Sequence, residues 1–277
     1  MWLTLVTSLV FGQSSEDKSG FVESIAFDAP ANQRTDATHH ADDVGFILRF
    51  LEPGDEDEAR MKRLLEQEDG VPDMVALFNA LFILKAPLTV KVGAEDGPYY
   101  EPGAEVITIP YAFALEIEQR FQEQGDPARV NLEESDDLVL DVVMHTLFHE
   151  LGHALMWQYE LPLFFEEEDV VDSLANLLLL DYTENGQQVA ISAAEMYRLE
   201  AADIERFEAA DFWNEHSLDI QRHYDVYCAI YGADPEGNQR IIDEVFDASE
   251  EQGDVCIDTY TRIANSWAPL LEPILRE

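Results

Sequence analysis

Basic residues are scarce in this sequence. Lysine and arginine together number 16 among 277 residues, against 58 aspartates and glutamates, and the formal net charge is −42. Such an acidic surface repels phosphate backbones and anionic lipid headgroups, which argues against a nucleic-acid-binding protein and against binding to an anionic membrane. Hydrophobic residues still make up 47% of the chain. This is enough to fill a core, so the sequence is not an acidic disordered segment.

Cysteine is also rare. The chain contains Cys228 and Cys256 and no CxxC pair. A zinc ribbon and a thioredoxin-type redox site are therefore excluded. The two cysteines could form one disulfide in an exported protein and would be buried thiols in the cytosol.

No hydrophobic run reaches the roughly 20 residues that a transmembrane helix needs. The apolar residues 1–11 have the length of the hydrophobic part of a signal peptide, and Val10 and Gly12 fit a cleavage site before Gln13. The basic residues that normally precede such a run are missing, so a truncated start or a first strand are alternatives. We expect residues 1–20 to be a signal-like segment and linker. The protein is then exported to the periplasm or the extracellular space, with no membrane span in the mature chain.

Residues 21–277 are predicted to form a single domain of the α+β class. Residues 21–111 carry candidate strands, and residues 112–277 show almost only helical periodicity. The acidic residues 55–58 suit the first turn of a helix better than a calcium loop, because the ligand spacing of an EF-hand is missing. The candidate strands are 21–27, 44–51, 88–92 and 105–110, and the candidate helices are 73–84, 112–124, 136–158, 166–181, 189–210, 216–231, 236–248 and 254–265.

A motif with chemical content lies within the candidate helix at 136–158. His149, Glu150 and His153 form an HExxH sequence. Residues four apart lie on one face of a helix, so both imidazoles can reach one ion, and neutral imidazole is a good zinc ligand. Glu150 does not lie on the same line of the helix as the two histidines, and it can take a proton from a water at the open position of the metal. The spacing predicts a metal site, and a surface helix with chance spacing is the alternative.

A third ligand is not supplied next to the motif, because Met156 and Tyr159 stand where the longer HExxHxxGxxH pattern has glycine and histidine. The next candidate helix begins with an acidic run after a short connection, so the two helices should pack antiparallel. Glu168 can then be the third ligand, with Glu167 as the alternative. Asp172 can accept the outer N–H of one histidine and fix its tautomer. Two histidines and one glutamate with an open position are typical of catalytic zinc.

Peptide-bond hydrolysis at a metal also needs a donor to the developing oxyanion. His216 is the preferred candidate, with Arg222, His223 and Tyr224 as alternatives, and ordinary polar contacts on a helix are the competing interpretation. His145 lies one turn before the motif. It is expected to line the cleft or to lie hydrogen-bonded in the core, rather than to bind metal.

HExxH followed by a helix with the E-x-x-x-D pattern resembles the gluzincins, the thermolysin-like zinc peptidases. The resemblance implies that His149, His153 and Glu168 bind zinc, that Glu150 is the base, and that Asp172 orients a histidine. It also implies a zincin-like helical half that carries the active-site helix. The strand at 105–110 resembles the edge strand that pairs with extended substrate in such enzymes. Tyr99 and Tyr100 precede that strand in a loop and either line the cleft or are simply exposed.

A longer part of the sequence is similar to a bacterial family whose members are described only as metallopeptidases. The similarity covers about residues 40–265. Its motifs are the ITIPY strand, HELGHAL, the acidic helix and a softer stretch at Trp213, His216, Gln221, Arg222, Cys228, Tyr231 and Gly232. Two departures stand out. The interval from His153 to Glu168 is shorter than in thermolysin, and the G-x-M-E-N motif of the related aminopeptidases is absent.

These observations predict a zinc-dependent hydrolase that acts on peptide or protein substrates, and an endopeptidase rather than an exopeptidase. One zinc ion would be the cofactor, with its bound water activated by Glu150. The alternative is a protein on the same scaffold that binds metal and a partner without hydrolysis.

Overall fold

The computed structural model describes residues 44–127, 130–131, 134–162, 166–204, 206–213, 216–246 and 250–276. The predicted signal-like segment and the predicted strand at 21–27 lie outside these residues. Among the described residues, no helix is both long and apolar enough to cross a membrane.

A small mixed sheet forms the first part of the described chain. Its strands are β1 (Phe46–Phe50), β2 (Leu88–Val92), β3 (Tyr99–Glu101) and β4 (Val106–Ile109), in the spatial order β1-β2-β4-β3. The first, second and fourth strands are parallel, and β3 pairs antiparallel with β4. Every second side chain of β2 is buried, as the alternation in its sequence predicts.

Helices dominate the rest of the described chain, which confirms the α+β class. A 3-10 helix at Ala209–Trp213 and a π-helix at Ile241–Phe246 accompany them. The α-helices of the described residues are α1 (Glu56–Leu65), α2 (Val71–Leu81), α3 (Tyr111–Gln124), α4 (Ser135–Tyr159), α5 (Glu167–Tyr182), α6 (Gly186–Ala201), α7 (Asp219–Ala233) and α8 (Glu250–Leu271).

The central helix is α4, which packs against α3, α5, α6 and the sheet. Apolar side chains surround it on nearly all sides, and a helix of this kind is stable only inside a core. It ends at Glu160, whose left-handed backbone (φ 52°) donates its N–H back to the last turn. The next helix, α5, packs against α4. This pairing positions the candidate site.

The disulfide that the two cysteines allowed is present. Cys228 of α7 and Cys256 of α8 are joined, and among the described residues no cysteine is free. The bond closes a loop across two helices that pack along each other. It therefore holds α8 against the helix that carries Arg222.

The expectation that residues 105–110 form the edge strand was wrong. The strand β4 is paired on both sides, with β2 and with β3. Within the described residues, residues 99–101 form the edge on the β4 side of the sheet, although the sequence suggested a loop there. Gly103 (φ 81°) and Glu105 (φ 55°) adopt positive φ angles that turn the chain back sharply. Three residues are too few for an alternating pattern to be recognised in the sequence.

Two helices also differ from their predicted extents. The helix expected at 189–210 ends at Ala201, where the N–H of Ala202 bonds to the last carbonyls. The apolar residues beyond that point do not enter the core: Phe207 and Phe212 are exposed. The segment expected as a helix at 236–248 is the π-helix at 241–246.

Candidate metal centre

Two adjacent helices provide most of the polar groups of the site. His149 and His153 lie one turn apart on α4, and both side chains are nearly buried. The facing helix α5 begins with its acidic run, so Glu167, Glu168 and Asp172 enter the same space. Negative charge in the first turn of a helix is favoured by the helix dipole, which makes this a suitable place for the carboxylates of Glu167 and Glu168.

The Oε2 atom of Glu168 is the centre of the cluster. It lies 3.1 Å from His149 Nε2, 3.3 Å from His153 Nε2 and 3.0 Å from His216 Nε2. The two Nε2 atoms of the HExxH histidines are 3.3 Å apart. The ligand atoms of His149, Glu168 and His216 also lie within 4.8 Å of one another.

These distances fit a tetrahedral zinc ion. A tetrahedron whose arms are about 2.0–2.1 Å long has edges of about 3.3–3.4 Å. The three distances that join His149 Nε2, His153 Nε2 and Glu168 Oε2 are 3.1 to 3.3 Å, close to such edges. The donor set, two imidazoles and one carboxylate, is also one that zinc accepts.

Each HExxH histidine has a carboxylate of its own on the opposite ring nitrogen. His149 Nδ1 donates to Asp172 Oδ1 at 2.7 Å, and His153 Nδ1 donates to Glu167 Oε1 at 2.8 Å. Such contacts leave Nε2 free as a ligand atom and hold each ring in place. The Asp172 contact is the one expected from the sequence. Glu167, considered there as an alternative ligand, instead contacts the outer nitrogen of His153.

Behind Asp172 lies a buried arginine. Arg222 of α7 donates from Nε to Asp172 Oδ2 at 2.7 Å and from Nη2 to Asp172 Oδ1 at 2.9 Å. Nη2 also donates to the Tyr197 hydroxyl at 2.7 Å, and the guanidinium lies 4.0 Å from the centroid of that ring. Arg222 is thus held on two sides and points at the carboxylate, away from the cleft. Arg222, one of the alternatives considered as an oxyanion donor, is not among the described residues that line the cleft.

The glutamate of the HExxH motif faces an open cleft. Glu150 is 5% exposed and accepts a hydrogen bond from the Tyr100 backbone N–H of the edge strand β3. The cleft has a volume of about 850 Å³, and Tyr99, Trp157 and Trp213 line it together with the histidines and glutamates of the cluster. Tyr99 and Tyr100 therefore border the cleft as members of a strand.

His216 reaches the cluster from the segment before α7. Its ring stacks on that of His149, with a centroid distance of 6.0 Å and an interplanar angle of 15°. Its side chain is 38% exposed, more than those of His149 and His153. His216 therefore lies beside the ligand atoms with one side open to the cleft.

Burial and charge oppose each other in this site. Burial lowers the pKa of His149, but hydrogen bonds to Asp172 and Glu168 outweigh it and raise the pKa to about 9. Burial raises the pKa of Asp172, but the charge of Arg222 and the bond to His149 hold it well below its usual range. Burial also raises the pKa of Glu168, but its hydrogen bonds to the three histidines lower it well below the usual range. The pKa of Glu150 is raised, mainly by burial. Carboxylates kept ionised are suited to bind a cation.

Three other candidates lie outside the cluster. His145 is 2% exposed and its Nε2 lies 3.3 Å from Asn176 Oδ1, while burial lowers its pKa to about 4. His145 is therefore a hydrogen-bonded histidine of the core, which is one of the two roles that the sequence predicted for it. His223 is buried between α6 and α7, where Nδ1 donates to the Ala194 carbonyl at 2.8 Å. Tyr224 is exposed and does not line the cleft.

Sequence reasoning missed the roles of Glu167 and Arg222. A carboxylate next to a candidate ligand is a weak signal in a chain with 58 acidic residues. Arg222 lies 50 residues from Asp172, and no spacing rule connects the two. The one hint in the sequence was that Arg222 belongs to the soft stretch on which part of the family resemblance rested.

A glycine sets the separation of the two helices. A Cβ atom added to Gly152 would lie 3.0 Å from Cβ and 3.1 Å from Cγ1 of Val171, which is fully buried on α5. A Cβ atom is fixed to the backbone, so rotation of the Val171 side chain cannot relieve the contact. The missing side chain therefore allows α5 to come close enough for its acids to meet the histidines.

We expect Gly152→Ala to weaken metal binding roughly tenfold, because a shift of a few tenths of an ångström displaces the carboxylates of α5. The substitution by itself favours the helix by about 1 kcal/mol, so the fold should persist. Zinc affinity, measured by competition with a chelator, checks this. The double variant Gly152→Ala/Val171→Gly, which removes the contacted Cβ and Cγ1 atoms, should recover most of the affinity, and unchanged affinity in the single variant would contradict the explanation.

A buried helix whose histidines face an acid of the next helix, beside a cleft and an edge strand, is an arrangement typical of metallopeptidases. A family model with the description "Putative metallopeptidase" matches residues 50–271. The match covers most of the chain, and the chain belongs to this family. Comparison with curated proteins and with solved structures gives no match.

Proposed function

We propose that this protein is a zinc-dependent endopeptidase of the gluzincin type. The observation that carries the proposal is the mutual spacing of His149 Nε2, His153 Nε2 and Glu168 Oε2, which fits a tetrahedral zinc ion with one position open to the cleft. In this proposal these three residues are the zinc ligands. Asp172 and Glu167 orient the histidines.

A zinc ion bound there would supply Lewis-acid chemistry for a scissile carbonyl and a water. The protein supplies the proton transfers. Glu150 faces the cleft beside the ligands, and its raised pKa suits a group that takes a proton from the attacking water and passes it to the leaving amine. The bond from the Tyr100 N–H holds the carboxylate in place.

The edge strand β3 supports an extended peptide as substrate. It forms the border of the sheet and lines the cleft through Tyr99 and Tyr100. A peptide can bind beside such a strand in extended form through backbone hydrogen bonds. A cleft that admits a chain along a strand suits cleavage within a polypeptide, which is why we propose an endopeptidase.

Library cleavage before and after metal removal tests the proposed function. The zinc-loaded protein should cleave members of a broad peptide library at internal bonds. Dialysis against a chelator should abolish cleavage, and one equivalent of zinc should restore it. Stoichiometric zinc without cleavage of any library member would instead support the non-hydrolytic binding protein.

His216 is proposed as the donor to the developing oxyanion. We expect His216→Ala to retain zinc and to reduce kcat about 10²–10³-fold, the typical cost of removing one oxyanion donor. Parallel measurements of kcat and zinc content check this. A loss of zinc from this variant would make His216 a ligand and would remove it from this role.

Arg222 is proposed as a positioning residue that acts through Asp172. We expect Arg222→Met to weaken zinc binding about 10–100-fold, because it leaves a buried carboxylate without its counter-charge and loosens His149. The matched control is Arg198→Met, since Arg198 pairs with the buried Glu195 at 2.7 Å, away from the cluster. Zinc affinity should fall only in the first variant. Equal affinities in both variants would show that Arg222 has a general structural role.

A further inference from the structure

The cleft beside the cluster exposes unusually large apolar side chains. Trp213 is 88% exposed, Trp157 is 55% exposed and Tyr99 is 39% exposed. All three line the same cleft, together with Met156 and Leu161. Large apolar groups that are exposed together in a concave surface indicate a binding site for an apolar group.

The charges of the cleft have one sign. Four carboxylates line it, those of Glu150, Glu166, Glu167 and Glu168, and no lysine or arginine is found among its described lining residues. A divalent cation would balance two of the four charges. The surrounding chain carries a formal charge of −42 and adds to the negative potential.

Among these four carboxylates, that of Glu166 differs in having no polar partner within the described part of the chain. Glu150 accepts from the Tyr100 N–H, Glu167 accepts from His153, and Glu168 lies against the three histidines. Glu166 is the N-cap residue that precedes α5, and its exposed side chain makes no capping hydrogen bond. Its charge is therefore available to a bound molecule.

We propose that the cleft selects peptides that carry a basic residue next to a bulky apolar one. The apolar side chain lies against Trp157 and Trp213, and the basic side chain pairs with Glu166. Acidic peptides are excluded by repulsion. The consequence for cleavage depends on the peptidase function proposed above, whereas the preference in binding does not.

The test uses three peptides that are identical except for lysine, glutamine or glutamate next to a phenylalanine. Binding to the zinc-loaded Glu150→Gln variant is measured by calorimetry, and kcat/KM is measured with the wild type. At physiological salt, the lysine peptide should have an affinity and a kcat/KM that are each at least tenfold higher than those of the glutamate peptide. Glu166→Lys should reduce this ratio threefold to tenfold, the range expected when a surface ion pair is replaced by repulsion. Trp213→Ala should weaken binding of all three peptides.

Glu123→Lys is the matched control, because Glu123 is exposed at the end of α3, outside the cleft, and the change in net charge is the same. This variant should keep the wild-type ratio. Equal binding of the three peptides, or equal effects of Glu166→Lys and Glu123→Lys, would overturn the proposal. Selective binding without cleavage would support this inference and refute the proposed peptidase function. Cleavage without a charge preference would support the peptidase function and refute this inference.

Discussion

Glu150→Gln is expected to lower kcat about 10²–10⁴-fold while the protein keeps its zinc. The amide is nearly isosteric but cannot take a proton from water, and general acid–base catalysis contributes a factor of this size. The loss corresponds to about 3–5 kcal/mol of transition-state stabilisation. The ligand atoms of His149, His153 and Glu168 are unchanged in this variant. Steady-state kinetics on a cleaved peptide and elemental mass spectrometry on the same preparation check both parts.

Glu123→Gln is the control for this variant, since it makes the same chemical change on the surface of α3. It should leave kcat unchanged. Wild-type turnover by Glu150→Gln would refute the mechanism. Loss of zinc from the variant would show instead that Glu150 helps to hold the metal.

The second large effect is expected for the double variant His149→Ala/His153→Ala. The wild type should contain about one zinc per chain, and the double variant none, because Glu168 and the adjacent His216 leave fewer than the three protein ligands that a catalytic zinc site needs. Metal that binds only the folded state stabilises it, by about 4 kcal/mol when free zinc is 1,000 times its Kd. The double variant should therefore show no zinc-dependent rise in thermal stability.

His145→Asn is the matched control, because this histidine lies on the same helix but contacts Asn176 instead of the cluster. It should keep its zinc. Circular dichroism shows whether the double variant folds, and the single variant His153→Ala provides a second measurement at a more exposed position. Zinc in the double variant at the wild-type level would refute the site. No zinc in the wild type, even after reconstitution, would do the same.

Much of the helical framework could be predicted from the sequence because it depends on local patterns. The helix with HExxH was expected at 136–158 and extends over Ser135–Tyr159, and the next was expected at 166–181 and extends over Glu167–Tyr182. A period of 3.6 residues over many turns is a strong signal. The same periodicity fixes His149 and His153 on one face. A three-residue edge strand, by contrast, offers no pattern, and it was misplaced for that reason.

Which residue types come together follows from the order of the chain alone, because HExxH and the acidic start of the next helix lie close in sequence. Which acid meets which histidine depends on how the helices pack. The close approach of Gly152 to Val171 brings α5 near α4, and in this packing Glu168 faces both Nε2 atoms while Glu167 and Asp172 contact the outer nitrogens. Arg222 and His216 come from segments distant in sequence and reach the site only through helix packing. Local periodicity carries no information about such long-range contacts, which depend on the shape of the whole core.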